Sequence, residues 1–217
     1  QVIIDIEVVE ETDTIVLNAA ELSIEDVRVE QGALVQASSI SFDEDLERAT
    51  FAFPVVLQPG PAKLLCSFTG TLNDKLRGFY RSTWTDEEGA EKVIATTQFE
   101  STNARRAFPC FDEPDLKASF GVTLRVDRSL MAISCGELVS STDLSDGRRE
   151  DRFADTMVMS TYLVAFIVGE LEATEAVDVD GVPLRIVHVP GKGDLTQFAL
   201  EAGEFSLRWL VEYYDIP

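Results

Sequence analysis

Hydrophobic residues recur at every second position through the first three quarters of the chain. Ile4, Ile6 and Val8 alternate with Asp5 and Glu7, and the same rhythm returns at Phe51, Phe53 and Val55. It appears again at Leu64, Cys66 and Phe68, and at Phe120, Val122, Leu124 and Val126. Successive side chains of a strand point to opposite faces, so this alternation predicts strands with one buried face. Turn signals separate them at Pro59-Gly60-Pro61, Glu88-Gly89 and Asp146-Gly147. The segment from Ser140 to Asp151 reads as a long polar hairpin tip. The run Met157 to Val168 reads as a fully buried strand, too short for the ~20 residues that span a bilayer. Many short strands without a long helix predict a mainly β domain of the antiparallel sandwich kind.

The rhythm changes after about Glu175. Gly181 to Val189 reads as one more strand, and Pro190-Gly191 as a turn. Asp194 stands three residues before Gln197, the spacing of a capping box, and predicts a helix start. Leu195, Phe198, Ala202, Phe205, Trp209 and Tyr213 follow at helical spacing, with Leu200, Leu207 and Val211 on a second apolar face. Such a helix expects cover on most sides. Asp215-Ile216-Pro217 should stop it, because the residue before proline avoids helical geometry.

Composition narrows the partners. With 217 residues, 45% of them hydrophobic, the chain can bury a sizeable core. Its 18 Lys and Arg against 39 Asp and Glu give a net charge of −21. That sign argues against nucleic acid or an anionic membrane as partner, since both call for a basic surface. Cys66, Cys110 and Cys135 are odd in number and far apart, and read as buried thiols rather than disulfides. No Asn-x-Ser/Thr sequence is present. Both features point to the cytoplasm.

Candidate chemistry is sparse. A hydrolytic zinc site takes about three protein ligands, and His188 is the only histidine. No G-x-S-x-G or phosphate-loop spacing accompanies it. One passage stands apart, Ala95 to Asp115, "ATTQFESTNARRAFPCFDEPD". Gln98 and Glu100 flank Phe99, so an amide and a carboxylate should project together while the ring anchors in the core. A solvated strand face fits the same pattern. Downstream, Arg105 and Arg106 precede Asp112 and Glu113, and a turn braced by ion pairs between them is expected. On these residues alone the chain is compatible with a non-catalytic β-sandwich module that binds a protein or carbohydrate.

"TTQFESTNARRAFPCFDEPDLKASF" resembles the signature of zinc aminopeptidases of the puromycin-sensitive type, which are gluzincin metallopeptidases. "LNDKLRGFYRSTW", "MSTYLVAFIVGELE" and "QFALEAGEFSLRWLVEYYDIP" resemble further segments of that family, in the same order. Ser101 and Asn103 depart from it, where proline and Asp or Ala are common. The resemblance implies a saddle-like antiparallel β-sandwich over residues 1–175. Residues 176–217 would then be the opening strand and first helix of a truncated thermolysin-like catalytic domain, with the start also clipped by a strand or two. It implies peptide substrates acted on through the missing catalytic domain, and zinc in the full-length enzyme but none bound by this part. Neither H-E-x-x-H nor G-x-M-E-N occurs here, so the 217-residue chain alone is expected to be inactive. By the resemblance, Glu100 contacts the substrate's amino end and Gln98 lines the pocket for its first side chain. Arg105, Arg106, Asp112 and Glu113 form the brace behind them.

Overall fold

The computed structural model describes residues 1–216. The first seven strands are β1 (Val2–Val8), β2 (Thr12–Asn18), β3 (Leu22–Gln31), β4 (Ala33–Gln36), β5 (Ser39–Asp43), β6 (Arg48–Leu57) and β7 (Gly60–Gly70). They form two antiparallel sheets, ordered β1-β7-β3-β4 and β2-β6-β5. The alternation seen in the sequence is what joins them. Val8, Leu17, Val27, Val29, Phe51, Phe53, Leu64 and Cys66 point inward from both sheets into one core. Phe51, Val27, Leu64 and Cys66 are fully covered. Burying a side chain of the Val, Leu or Phe kind contributes roughly 1.5–3 kcal/mol, so this core is a main source of the chain's stability. The alternation breaks at Pro54, after which Val55 and Val56 are exposed.

A second four-stranded sheet follows. It contains β8 (Gly78–Thr85) and β9 (Glu91–Gln98). Next come β10 (Thr123–Asp127), β11 (Met131–Ser134), β12 (Leu138–Asp143), β13 (Arg148–Phe153) and β14 (Phe166–Gly169). The order is β11-β14-β9-β8 in this sheet and β10-β13-β12 in a three-stranded neighbour. Asp146-Gly147 closes the β12–β13 hairpin, with Gly147 at φ +85. Residues 140–151 are mostly paired strand rather than a long loop, and only 144–147 turn. A smaller core of Phe99, Ala104, Cys110 and Val164 lies beneath this part.

Met157 to Val168 is not the buried strand its composition predicts. Met157 and Val158 are exposed, Met159 makes a single bridge to Ala118, a 3-10 turn occupies Thr161–Leu163, and a paired strand starts at Phe166. The hydroxyls explain it. Ser160 Oγ donates to the Pro114 carbonyl and Thr161 Oγ1 donates to the Phe111 carbonyl at 3.1 Å. These bonds tie the segment to the Phe111–Pro114 loop instead of a neighbouring strand.

The last quarter holds β15 (Glu172–Ala173), β16 (Val177–Val179), β17 (Val182–Leu184), β18 (Val187–His188) and the helix α1 (Gln197–Tyr214). The single strand expected from Gly181 to Val189 is divided between two partners: β17 pairs with β16, and β18 with β15. The β16–β17 turn uses Asp180 and Gly181, both at positive φ (54 and 90), as a two-residue type I′ hairpin requires. Asp194 lies in a preceding 3-10 turn, and Thr196 is the residue at the helix N-cap, so the capping box does not form. The helix seats Gly203 and Leu207 on the β16–β17 hairpin, where Arg208 reaches Asp180 at 2.6 Å. No residue of α1 is buried, so its two apolar faces lack the cover they call for. The hairpin covers only one face; Phe198, Phe205, Trp209 and Tyr213 lie on the surface. Asp215, at φ +54, ends the helix, while Pro217 lies outside the described residues.

All three cysteines are free. Burial pushes the Cys66 thiol up to about 12, and burial beside the Asp112 carboxylate raises Cys110 well above its ordinary value. Cys135 differs from expectation by being exposed. It sits just past β11, where its sulfur accepts the Ala165 N–H at 3.1 Å.

Candidate functional site

Strand β9 delivers its last residue, Gln98, opposite Gly78 of β8. Phe99 then turns inward and is 2% exposed, while Gln98 and Glu100 on either side are exposed. The Phe99 ring meets Phe108 and Phe166 edge-on, with centroids 5.9 and 6.0 Å apart. A buried aromatic thus anchors the point where an amide and a carboxylate leave the sheet. Neither Gln98 nor Glu100 has a side-chain hydrogen bond or ion pair among the described residues. The Glu100–Ser101 peptide is cis.

Beyond Glu100 the chain folds back at once. Asn103 N–H donates to the Phe99 carbonyl at 2.8 Å, and a 3-10 turn follows over Ala104–Arg106. Gly78 allows this turn to lie against β8. Its φ is +68, and a Cβ there would stand 2.7 Å from Arg106 Cβ.

The two arginines share Glu47 and otherwise point to different partners. Arg105 Nε donates to Asp112 Oδ2 at 2.9 Å, and its backbone N–H reaches the same oxygen at 3.2 Å. Its Nη2 donates to the Asp112 carbonyl at 3.2 Å and its Nη1 to Glu47 Oε2 at 3.3 Å. Asp112 is 1% exposed and its own N–H donates to Asn18 Oδ1 at 3.1 Å. Arg106 does not pair with Asp112 or Glu113. It donates from Nη1 to Glu21 Oε1 at 2.7 Å and from Nη2 to Glu47 Oε1. Glu113 is exposed and makes no ion pair among the described residues. Asp112, the residue before it, is buried.

Glu21 and Glu47 belong to the sandwich, one in the β2–β3 turn and the other just before β6. Asn18 and Cys110 exchange backbone hydrogen bonds at 2.8 and 3.1 Å, and the Arg105 carbonyl accepts the Ala20 N–H at 3.0 Å. The segment after Glu100 is therefore bolted to the sandwich by side chains and backbone together. Sequence reasoning found Arg105 and Asp112, but it did not find Asn18, Glu21, Glu47, Ser160 or Thr161. The hydroxyls of Ser160 and Thr161 inside an apolar run were a usable signal. Glu21 and Glu47 carried none, since they lie 85 and 59 residues from Arg106.

No group of three His, Cys, Asp or Glu able to hold a metal ion occurs among the described residues. The lone His188 is half-buried, with Nδ1 2.8 Å from the Val189 carbonyl oxygen. The residues present do not fit a zinc ion. No helix among the described residues is long and apolar enough to cross a membrane.

Fold and site together define a class: an antiparallel β-domain that presents an amide and a carboxylate at a braced strand end. The chain belongs to the Peptidase M1 N-terminal domain family, whose sequence profile matches residues 1–163. It is 44% identical over 216 residues to a puromycin-sensitive aminopeptidase of Caenorhabditis elegans, covering 98% of this chain and 23% of that protein. It is 39% identical over 222 residues to aminopeptidase M1 of Arabidopsis thaliana, covering 100% of this chain and 25% of that one. With human endoplasmic reticulum aminopeptidase 1 the identity is 36% over 211 residues, covering 95% of this chain and 22% of that protein. The chain spans about a quarter of the length of the curated relatives it matches.

Proposed function

We propose that this chain serves a zinc-dependent aminopeptidase as the β-domain that recognises the amino end of a peptide substrate. The observation that carries the reading is the pair Gln98 and Glu100, exposed and unpartnered on either side of a buried Phe99. A chain end differs from a chain interior by its α-ammonium, whose ordinary pKa of about 7.7–8.0 leaves it mostly charged at neutral pH. A carboxylate held at a set place can pair with that charge and fix the distance to the first peptide bond. Glu100 takes this role, and the neighbouring Gln98 contacts the first side chain. Arg105, Arg106 and Asp112 hold the strand end, while Glu113 stays outside the brace.

Zinc and the groups that cleave the bond are contributed by residues other than these. Residues 1–175 act as the β-domain, and 176–217 as the start of the catalytic unit. The free thiols and the absence of Asn-x-Ser/Thr support action in the cytoplasm. The relatives' names include an endoplasmic reticulum and a mitochondrial enzyme, so this placement is a separate reading. Hydrolysis of matched peptides tests the function. The complete enzyme should release the first residue from a peptide with a free α-amine and leave its N-acetylated counterpart intact. The 217-residue chain alone should release nothing and hold no stoichiometric zinc. Equal cleavage of both peptides, or activity in the chain alone, would contradict the proposal.

A further inference from the structure

We propose that Asn103 is a positioning residue that transmits the ion-pair clamp on Arg106 to the backbone of Glu100; this rests on the reading of Glu100 given above. The Glu100 side chain is exposed and has no partner among the described residues, so its direction depends on how firmly its backbone is held. One side chain does the holding. Asn103 Nδ2 donates to the Glu100 carbonyl at 3.3 Å, and Asn103 Oδ1 accepts from Arg106 Nε at 3.4 Å. The Asn103 backbone adds to this, donating to the Phe99 carbonyl and accepting from Arg106 N–H at 3.1 Å.

Arg106 is itself held from both sides. Its side chain is 9% exposed, and its two terminal nitrogens are taken by Glu21 and Glu47. Those carboxylates stand on separate turns of the sandwich, and both residues hold positive φ (59 and 52). A continuous path of contacts therefore runs from the sandwich through Arg106 and Asn103 to Glu100. An amide suits the middle of that path, because it presents a donor and an acceptor at once. A carboxylate at position 103 could accept from Arg106 but could not donate to the Glu100 carbonyl. Precision matters here, since a displacement of about 1 Å at a substrate-positioning group can cost on the order of a hundredfold in rate.

A double-mutant cycle in the complete enzyme tests the coupling. It compares kcat/KM on one free-amine aminoacyl substrate for wild type, Asn103→Ala, Glu100→Ala and the double variant. Asn103→Ala should lose roughly five- to tenfold in the wild-type background, the scale of one hydrogen bond, and nothing further when Glu100 is already alanine. The same loss in both backgrounds would make Asn103 a structural residue only, and no loss in either would remove it from the site. Either result overturns the proposal while leaving the role of Glu100 standing. If Glu100→Ala itself changes nothing, the reading of Glu100 falls and the positioning role falls with it. Should Asn103→Ala fail to fold, Asn103→Asp enters the same cycle. It keeps the acceptor for Arg106 and removes the donor to Glu100, so the same non-additive loss is expected.

Discussion

Glu100→Ala in the complete enzyme should lower kcat/KM roughly ten- to a hundredfold. The expected loss is that of one charge-assisted contact, about 1.5–3 kcal/mol, made to the α-ammonium in the transition state. The fold should not suffer. Glu100 is exposed and its side chain supports no other group among the described residues, so the melting temperature should stay within a degree or so of wild type. Glu100→Gln keeps the shape and removes the charge, and should lose nearly as much. Gln98 variants should behave differently, changing the order of preference among first residues more than the best rate. Steady-state kinetics on a panel of aminoacyl substrates separates the two effects. An unchanged kcat/KM in Glu100→Ala would return this carboxylate to an ordinary solvated surface.

The largest stability loss should come from Asp112→Ala. Asp112 and the Arg105 side chain are 1% and 10% exposed, so the substitution leaves a guanidinium nearly buried without its main partner. It also orphans the Arg105 N–H that shares Asp112 Oδ2. Removing one member of a buried pair typically costs about 3–5 kcal/mol. In a chain of this size that lowers the melting temperature by roughly 6–20 °C. Glu47 remains 3.3 Å from Arg105 Nη1 and should hold the loss toward the lower end. The double variant Arg105→Met/Asp112→Leu should recover part of the loss, because no charge is then stranded. Thermal unfolding measures both. A shift under about 3 °C for Asp112→Ala would show that the pair is not the brace.

The sandwich was legible because its signal is local. A strand buried on one face writes that face into every second residue, and Ile4, Ile6, Val8, Phe51 and Phe53 follow the rule, while Val55, beyond Pro54, does not. The burial of Phe99 between exposed Gln98 and Glu100 continues that alternation one step past the end of β9. Arg105 and Asp112 lie seven residues apart, close enough for their pairing to be guessed. The partners of Arg106 come from turns brought near only by folding, and no spacing rule reaches that far. Other misreadings were of signals present. Asp180-Gly181 between alternating apolar residues marks the hairpin that gives β17 to β16, whereas Arg185-Ile186, where β18 leaves for β15, carries no turn residue. Ser160 and Thr161 interrupt an apolar run with the hydroxyls that tie it down elsewhere. The apolar pattern of α1 was read well, but a pattern states what a face needs, not what covers it.

A crystal structure of the complete enzyme with a bound peptide-like inhibitor carrying a free α-amine tests the central claim most directly. The amine nitrogen should lie within about 2.7–2.9 Å of a Glu100 carboxylate oxygen, the distance of a charge-assisted hydrogen bond, with the first side chain beside Gln98. An amine held by other groups while Glu100 faces solvent would contradict the account.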